Sequence, residues 1–176
     1  ALRLDIAKNK PVAFDLTSNL TGARLKSAAL NWSKPEAQAA QLRVQGAFGK
    51  PLRVDLLAFE AQGLSLEGTV EFDDDGLDRV VLSRLDVGDW FDGAATFIHQ
   101  EAGAPMRLLL SGDLDLRSYG KLAGGDPKRA DATTPMPMSL KLGRLQLSNN
   151  LFLSDVRADF DRGLAAGGPF GGRVNG

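Results

Sequence analysis

Residues 64–72 alternate between apolar and polar side chains, with a single glycine as the exception. In an extended strand, successive side chains point to opposite faces. The apolar side chains of this stretch therefore share one face: Leu64, Leu66, Val70 and Phe72. The same alternation returns from one end of the chain to the other, and it predicts an all-β fold.

Short turn signals separate the alternating runs. The run Asp-Asp-Asp-Gly at residues 73–76 is typical of a tight hairpin, because Asp and Gly tolerate positive φ. We expect about ten to twelve strands in an antiparallel meander. Nine extended residues span about 30 Å, and strands of this length favour a wide sheet, curved or rolled into an open groove or half-barrel. At most one or two short helices are expected, one of them at residues 117–122.

The chain of 176 residues is long enough for a single β-rich domain with a real core. Residues 121–138 are rich in Gly, Pro and Thr and predict a flexible linker or loop inside that domain. The chain starts at Ala1 and stops at Gly176 within strand-like sequence, which predicts a piece of a longer protein. A complete small protein is the alternative.

Two irregularities interrupt the pattern. The alternation changes phase near Gly112, where a glycine often marks a β-bulge. Residues 83–91 (SRLDVGDWF) are similar to residues 143–151 (GRLQLSNNL), sixty positions later. This similarity indicates a sheet extended by repetition, with chance similarity between two amphipathic strands as the alternative.

Charge and composition exclude several classes of function. The net charge of −1 gives no basic face, so we expect no nucleic-acid partner. Cysteine is absent, which removes disulfides, thiol nucleophiles and thiolate metal sites. No window approaches the roughly 18 apolar residues of a membrane-spanning helix.

No motif for catalysis or metal binding stands out. His99 is the single histidine, and no G-x-S-x-G motif accompanies it. The Asp run at residues 73–75 lacks the spaced ligands of a calcium-binding loop. We therefore expect no catalytic residue, no metal and no cofactor. A hydrolase on a β-scaffold is a remote alternative that would need carboxylates converging in a cleft.

The remaining candidate site is the apolar face of the strands. Its predicted members are Leu52, Val54, Leu56, Leu64, Leu66, Val70, Phe72, Leu108 and Leu110. Such a face forms either the core of a closed sandwich or the lining of a groove for an acyl chain, and composition does not separate the two. Trp32 and Trp90 are expected to pack in the core or at its rim.

Several phrases resemble one family of envelope proteins. Residues 14–23 (FDLTSNLTGA) and 30–35 (LNWSKP) resemble the "DLTGA…L…GW-KP" segment of the AsmA-like family, in its YhdP-like branch, with Asn31 in place of Gly. Residues 82–88, 110–117 and 170–176 resemble further phrases of that branch.

This resemblance implies a non-catalytic, periplasmic β-groove, anchored to the inner membrane by a segment outside this chain. Its ligand would be a phospholipid or another acyl-chain lipid, and its neighbours would be further repeats of the same chain. Its role would be phospholipid transfer between the inner and outer membranes, or maintenance of the outer membrane. A structural or adhesive β-module with a closed core and a protein-binding surface is the alternative.

Overall fold

The computed structural model describes residues 1–27, 30, 32–74, 76–100, 104–118, 136–160 and 172–175. This part of the chain is all-β, as predicted, apart from helical residues 116–118. Most of the predicted linker at 121–138 lies outside the described residues, although Met138 already belongs to a strand. None of the helical structure described here is long and apolar enough to cross a membrane.

Thirteen strands are present in the described residues. They are β1 (Leu2–Asp5), β2 (Val12–Ser18), β3 (Leu25–Ser27), β4 (Trp32–Lys34), β5 (Gln41–Phe48), β6 (Arg53–Ala61), β7 (Leu64–Asp73), β8 (Gly76–Val87), β9 (Phe91–Ile98), β10 (Arg107–Asp115), β11 (Met138–Ser148), β12 (Leu151–Phe160) and β13 (Gly172–Asn175). In each of the two units described below, the strand order within the described residues is linear, so neither sheet closes into a barrel.

The chain forms two compact units, Ala1–Gly88 and Asp89–Gly176. The sequence predicts that these residues form a single domain, and this stays a prediction. The first unit contains the strand order β1-β2-β5-β6-β7-β8, in which every neighbouring pair is antiparallel. The predicted hairpin at residues 73–76 joins β7 to β8, with Asp73 opposite Gly76.

The second unit contains the order β9-β10-β11-β12-β13, and it corrects the prediction of a purely antiparallel meander. Strands β10 and β11 are parallel, with Leu108 opposite Met138 and Leu110 opposite Leu140. Parallel neighbours need a crossover connection of a dozen or more residues. The stretch between Asp115 and Met138 is long enough for one, although its sequence predicted only a short helix followed by a linker or loop.

In both units, several pairs of neighbouring strands contain a register shift. In the first unit they lie next to Gly46 in β5, after Val54 in β6 and next to Gly68 in β7. In the second unit the predicted irregularity near Gly112 is confirmed, and the extra residue is Gly143 on β11. Bulges of this kind bend strands and strengthen their twist.

Residues 19–40 form the connection from β2 to β5 and include the small antiparallel sheet of β3 and β4. Lys34 at the end of β4 is only 1% exposed. Its ammonium group donates hydrogen bonds to the backbone oxygens of Leu20 (2.8 Å), Ala23 (2.7 Å) and Pro35 (3.3 Å). A buried charge is costly unless it is hydrogen-bonded, and these three carbonyl groups meet that need.

Candidate functional site: the apolar face of the first unit

The predicted face of β7 exists in the structure and continues onto the neighbouring strands. Residues directly opposite each other on adjacent strands share a face. Leu66 lies opposite Phe59 of β6 and Leu85 of β8. Val70 lies opposite Val54 of β6 and Val80 of β8. The apolar residues of β7 are therefore the middle of a surface that spans several strands.

Three transverse rows describe this surface, which we name the apolar face of the first unit. Pairing across β2, β5, β6, β7 and β8 places the following large apolar side chains on it: Leu42, Phe59, Leu66 and Leu85 in one row; Leu16, Val44, Leu57 and Leu82 in the next; Phe14, Val54, Val70 and Val80 in the third. Val54, Leu66 and Val70 are the members of this surface that the sequence predicted as site residues.

Leu56 does not lie on the face of the sheet predicted for it. Alternation puts it on the same face as Val54, but the register shift in β6 sets Leu56 opposite Gln45 and brings Leu57 opposite Val44 instead. A bulge adds one residue to a strand and reverses the faces of the residues after it. The pair of leucines at 56 and 57 is the one sequence signal that could have suggested this.

The remaining predicted residues fall in three places. Leu64 lies opposite Ala61 at the end of the face, and Phe72 lies opposite Leu77 at the other end. Leu52 precedes β6 and is half-buried. Leu108 and Leu110 belong to the second unit, where they lie opposite Phe97 and Ala95 on the apolar side of β9.

The two ends of the apolar face differ in exposure. Leu64, Leu85 and Val87 are buried at the end where β6 turns into β7. At the opposite end, Phe48 is 53% exposed and Leu77 is also exposed. An apolar face that is covered at one end and open at the other is unlike the core of a sealed sandwich.

Trp32 of β4 packs on the covered end. Its ring meets that of Phe59 edge to face, with the centroids 5.6 Å apart. Its indole Nε1 donates a 2.9 Å hydrogen bond to the backbone oxygen of Gln62, in the β6–β7 turn. Gln38 adds a 2.8 Å hydrogen bond to the Gln62 side chain. The connection at residues 19–40 is thereby fixed to the end of the apolar face.

The opposite face of the same sheet is polar. One row on it contains Thr17, Arg43, Ala58, Glu67 and Arg84, which lie opposite one another across β2, β5, β6, β7 and β8. These residues line a depression of about 280 Å³, which Leu42, Phe59 and Leu66 also border. Its lining carries charges of both signs, from Arg43, Arg84, Glu60 and Glu67.

Two carboxylates on the polar faces have shifted pKa values. Hydrogen bonds from Gln45 (2.6 Å) and Arg43 (3.1 Å) lower the pKa of Asp15 in the first unit. In the second unit, hydrogen bonds from the Arg117 side chain lower the pKa of Asp115 to about 2. Both shifts favour the ionised form, so each group is a stable anion near neutral pH.

The described residues contain no group of three or more His, Asp or Glu side chains placed to hold a metal ion. His99 follows β9 and is exposed. Comparison of the chain with protein-family models, with curated proteins and with solved structures finds no match.

Proposed function

We propose that this chain is a non-catalytic segment of a periplasmic lipid-transfer protein. Its apolar sheet face shields the acyl chains of phospholipid that passes between the inner and outer membranes. The observation that carries the proposal is the continuous, partly exposed apolar face of an open sheet. The resemblance to the AsmA-like family supports the same function and supplies the cellular location.

The physical argument rests on transfer free energy. Each methylene group moved from water to an apolar surface contributes about 0.8 kcal/mol when fully buried. Leu66, Val70 and Phe72 are half-buried, so an acyl chain could cover apolar area that still contacts water. Large exposed apolar patches on soluble proteins mark sites that bind lipids or other proteins.

Site-specific photocrosslinking tests this proposal. A photocrosslinking amino acid placed at Leu66 or Val70, on the apolar face, should form adducts with phospholipid in cells. The same amino acid at Glu67 or Glu71, on the polar face, should not. Lipid adducts only from the polar face, or from neither face, would overturn the proposal.

Leu56 and Leu57 provide a matched pair for the same experiment. The two leucines are adjacent in sequence, and the register places Leu57 on the apolar face and Leu56 opposite Gln45. Lipid adducts are expected from position 57 and not from position 56. Equal labelling of both positions would show that crosslinking follows hydrophobicity alone rather than the face of the sheet.

A protein-binding β-module is the second candidate, and one observation favours it. Leu151, Phe152 and Leu153 are exposed at the start of β12. Leu151 and Leu153 share one face of β12 and Phe152 points to the other. Exposed apolar side chains of this size are typical of a protein-binding surface. Crosslinking from Phe152 to a polypeptide, with no lipid adduct from Leu66, would favour this candidate over lipid transfer.

A further inference from the structure

One end of the apolar face of the first unit is covered by a packed aromatic side chain. Trp32 stands there against Phe59 and is held by its hydrogen bond to Gln62. Behind it, residues 19–40 are fixed by the three hydrogen bonds of Lys34 and by a 2.9 Å backbone hydrogen bond from Ala40 to Asn19. Trp32 and the segment behind it are therefore held by packing and hydrogen bonds, and we call this covered end of the face the wall.

The other end of the face carries cationic turns. Lys8 and Lys10 lie in the β1–β2 turn, and Lys50 lies in the β5–β6 turn, which is next to it because β2 pairs with β5. All three lysines are exposed, and none forms an ion pair within the described part of the chain. The β7–β8 turn at the same end carries Asp73 and Asp74, so the cationic area is limited to the first two turns.

The distance between the two ends suits a single acyl chain. Six residue steps separate Leu42, opposite Phe59, from Phe48 at the end of β5, next to the turn of Lys50, and at about 3.3 Å per step they span roughly 20 Å. The hydrocarbon core of a bilayer is about 30 Å thick, so the acyl chains of one leaflet extend about 15 Å. One extended chain fits between the wall and the lysines.

We propose that the first unit binds an anionic phospholipid in one orientation, with the acyl terminus against Trp32 and the phosphate at Lys8, Lys10 and Lys50. This inference rests on the proposed function and adds to it a direction along the strands and a limit on chain length. Trp32 is then a specificity-determining residue, since it ends the apolar track.

Binding of single-chain phospholipids tests the wall. Lysophosphatidylglycerols of increasing chain length are titrated into the full chain below their micelle concentration, by calorimetry. Affinity for the wild type should rise by up to about fourfold per added methylene and then level off where the chain reaches Trp32. In Trp32→Ala the rise should continue for several more methylenes.

A second variant makes the test independent of how well Trp32→Ala folds. Val70→Trp places a large side chain inside the track, so its plateau should begin at a shorter chain than in the wild type. Phe152→Ala, an exposed aromatic of the second unit, serves as the control and should leave the profile unchanged. Circular dichroism verifies that each variant keeps its β-structure.

The outcomes separate this inference from the proposed function. Identical length profiles in the wild type, Trp32→Ala and Val70→Trp would overturn the wall while leaving lipid binding intact. A complete lack of binding at every chain length would overturn both. Plateaus that move in opposite directions in the two variants would establish the orientation of the chain along the strands.

The role of the three lysines is tested separately, by the affinity for lipids of different headgroup charge. The triple variant Lys8→Ala, Lys10→Ala, Lys50→Ala should bind lysophosphatidylglycerol several-fold more weakly, with a smaller dependence on salt. Its affinity for the zwitterionic lysophosphatidylcholine, in which the choline cation offsets the charge of the phosphate, should fall less, and Lys26→Ala, an exposed lysine of β3, should behave as the wild type. An equal loss for both lipids would overturn the assignment of the phosphate to these turns.

Discussion

The two similar segments at residues 83–91 and 143–151 each contain the end of one strand and the first residue of the next. Ser83 is the extra residue of a register shift on β8, and Gly143 is the extra residue of one on β11. Each strand then runs to its end, and Phe91 and Leu151 begin the strands that follow. The repeat predicted from the sequence therefore corresponds to a repeated structural feature.

The two copies differ in what covers them. Val87 in the first copy is 1% exposed, whereas Leu147, its counterpart in the second, is 37% exposed. Residues 19–40 pack at this end of the first sheet, through Trp32 and Phe59. The described residues of the second unit contain no corresponding hairpin. Leu147 is also the extra residue of a register shift between β11 and β12, so local pairing contributes to the difference in exposure as well.

The largest expected effect comes from placing a charge at the two equivalent positions. Val87→Asp would bury a carboxylate without a partner, so we expect it to lower the free energy of unfolding by about 3 to 5 kcal/mol. Leu147→Asp should change it by about 0.5 kcal/mol or less, because that side chain is already in contact with water. Urea denaturation measures both values, and equal losses would show that the two copies are covered alike.

A smaller loss is expected from Lys34, which anchors the small β3–β4 sheet of the first unit. Lys34→Met keeps the length of the side chain but leaves the carbonyl groups of Leu20, Ala23 and Pro35 without their donor. We expect a loss of about 2 kcal/mol and a change in the fluorescence of Trp32. Lys26→Met, on the exposed side of β3, is the control and should alter neither quantity.

These contrasts show how far the sequence could predict the structure. The alternation of β7 and the Asp-Gly turn after it predicted the β7–β8 hairpin, because both signals are local. Leu56 was placed on the wrong face because a bulge adds a residue without changing the local pattern. The parallel pairing of β10 with β11 was missed for a similar reason, since strand direction depends on the connection rather than on the strands.

The candidate site was predictable in its centre and not at its ends. Leu66 and Val70 were found because each lies within a regular alternating run. Trp32 was expected to pack in a core or at its rim, and nothing within thirty residues of sequence indicates that it meets Phe59 and Gln62. Contacts of this kind are determined by the folded arrangement of distant segments.

The third prediction compares glycines near the register shifts of the two units. An alanine at Gly68 would place its Cβ against the backbone oxygen of Val81 and 2.8 Å from the Cα of Leu82. An alanine at Gly143 would meet only a side-chain oxygen of Asp113, at 3.1 Å. Gly68→Ala should therefore cost about 1 to 3 kcal/mol of unfolding free energy, and Gly143→Ala about 0.5 kcal/mol or less. Thermal denaturation measures the stability of both variants. A larger loss for Gly143→Ala than for Gly68→Ala would show that the backbone is packed more tightly at Gly143.

The smallest expected effect concerns acid stability, where each unit has one carboxylate with a lowered pKa. Asp115 has a pKa of about 2 in the folded chain against an ordinary value of 3.8. Because the folded pKa is the lower one, its stabilising effect is complete above pH 3.8 and is lost as the pH falls towards 2. Asp115→Asn should make stability less dependent on pH within that window.

Asp15→Asn is the matching variant in the first unit, since hydrogen bonds from Gln45 and Arg43 also lower the pKa of Asp15. Both effects should be modest and should shrink in high salt, because the side chains of Arg117 and Arg43 that pair with these carboxylates are partly exposed. Urea midpoints followed through the acid range measure each variant against the wild type. If both variants keep the full acid dependence of the wild type, other carboxylates cause the acid sensitivity. If only one variant loses this dependence, the sensitivity lies in the unit that carries that carboxylate.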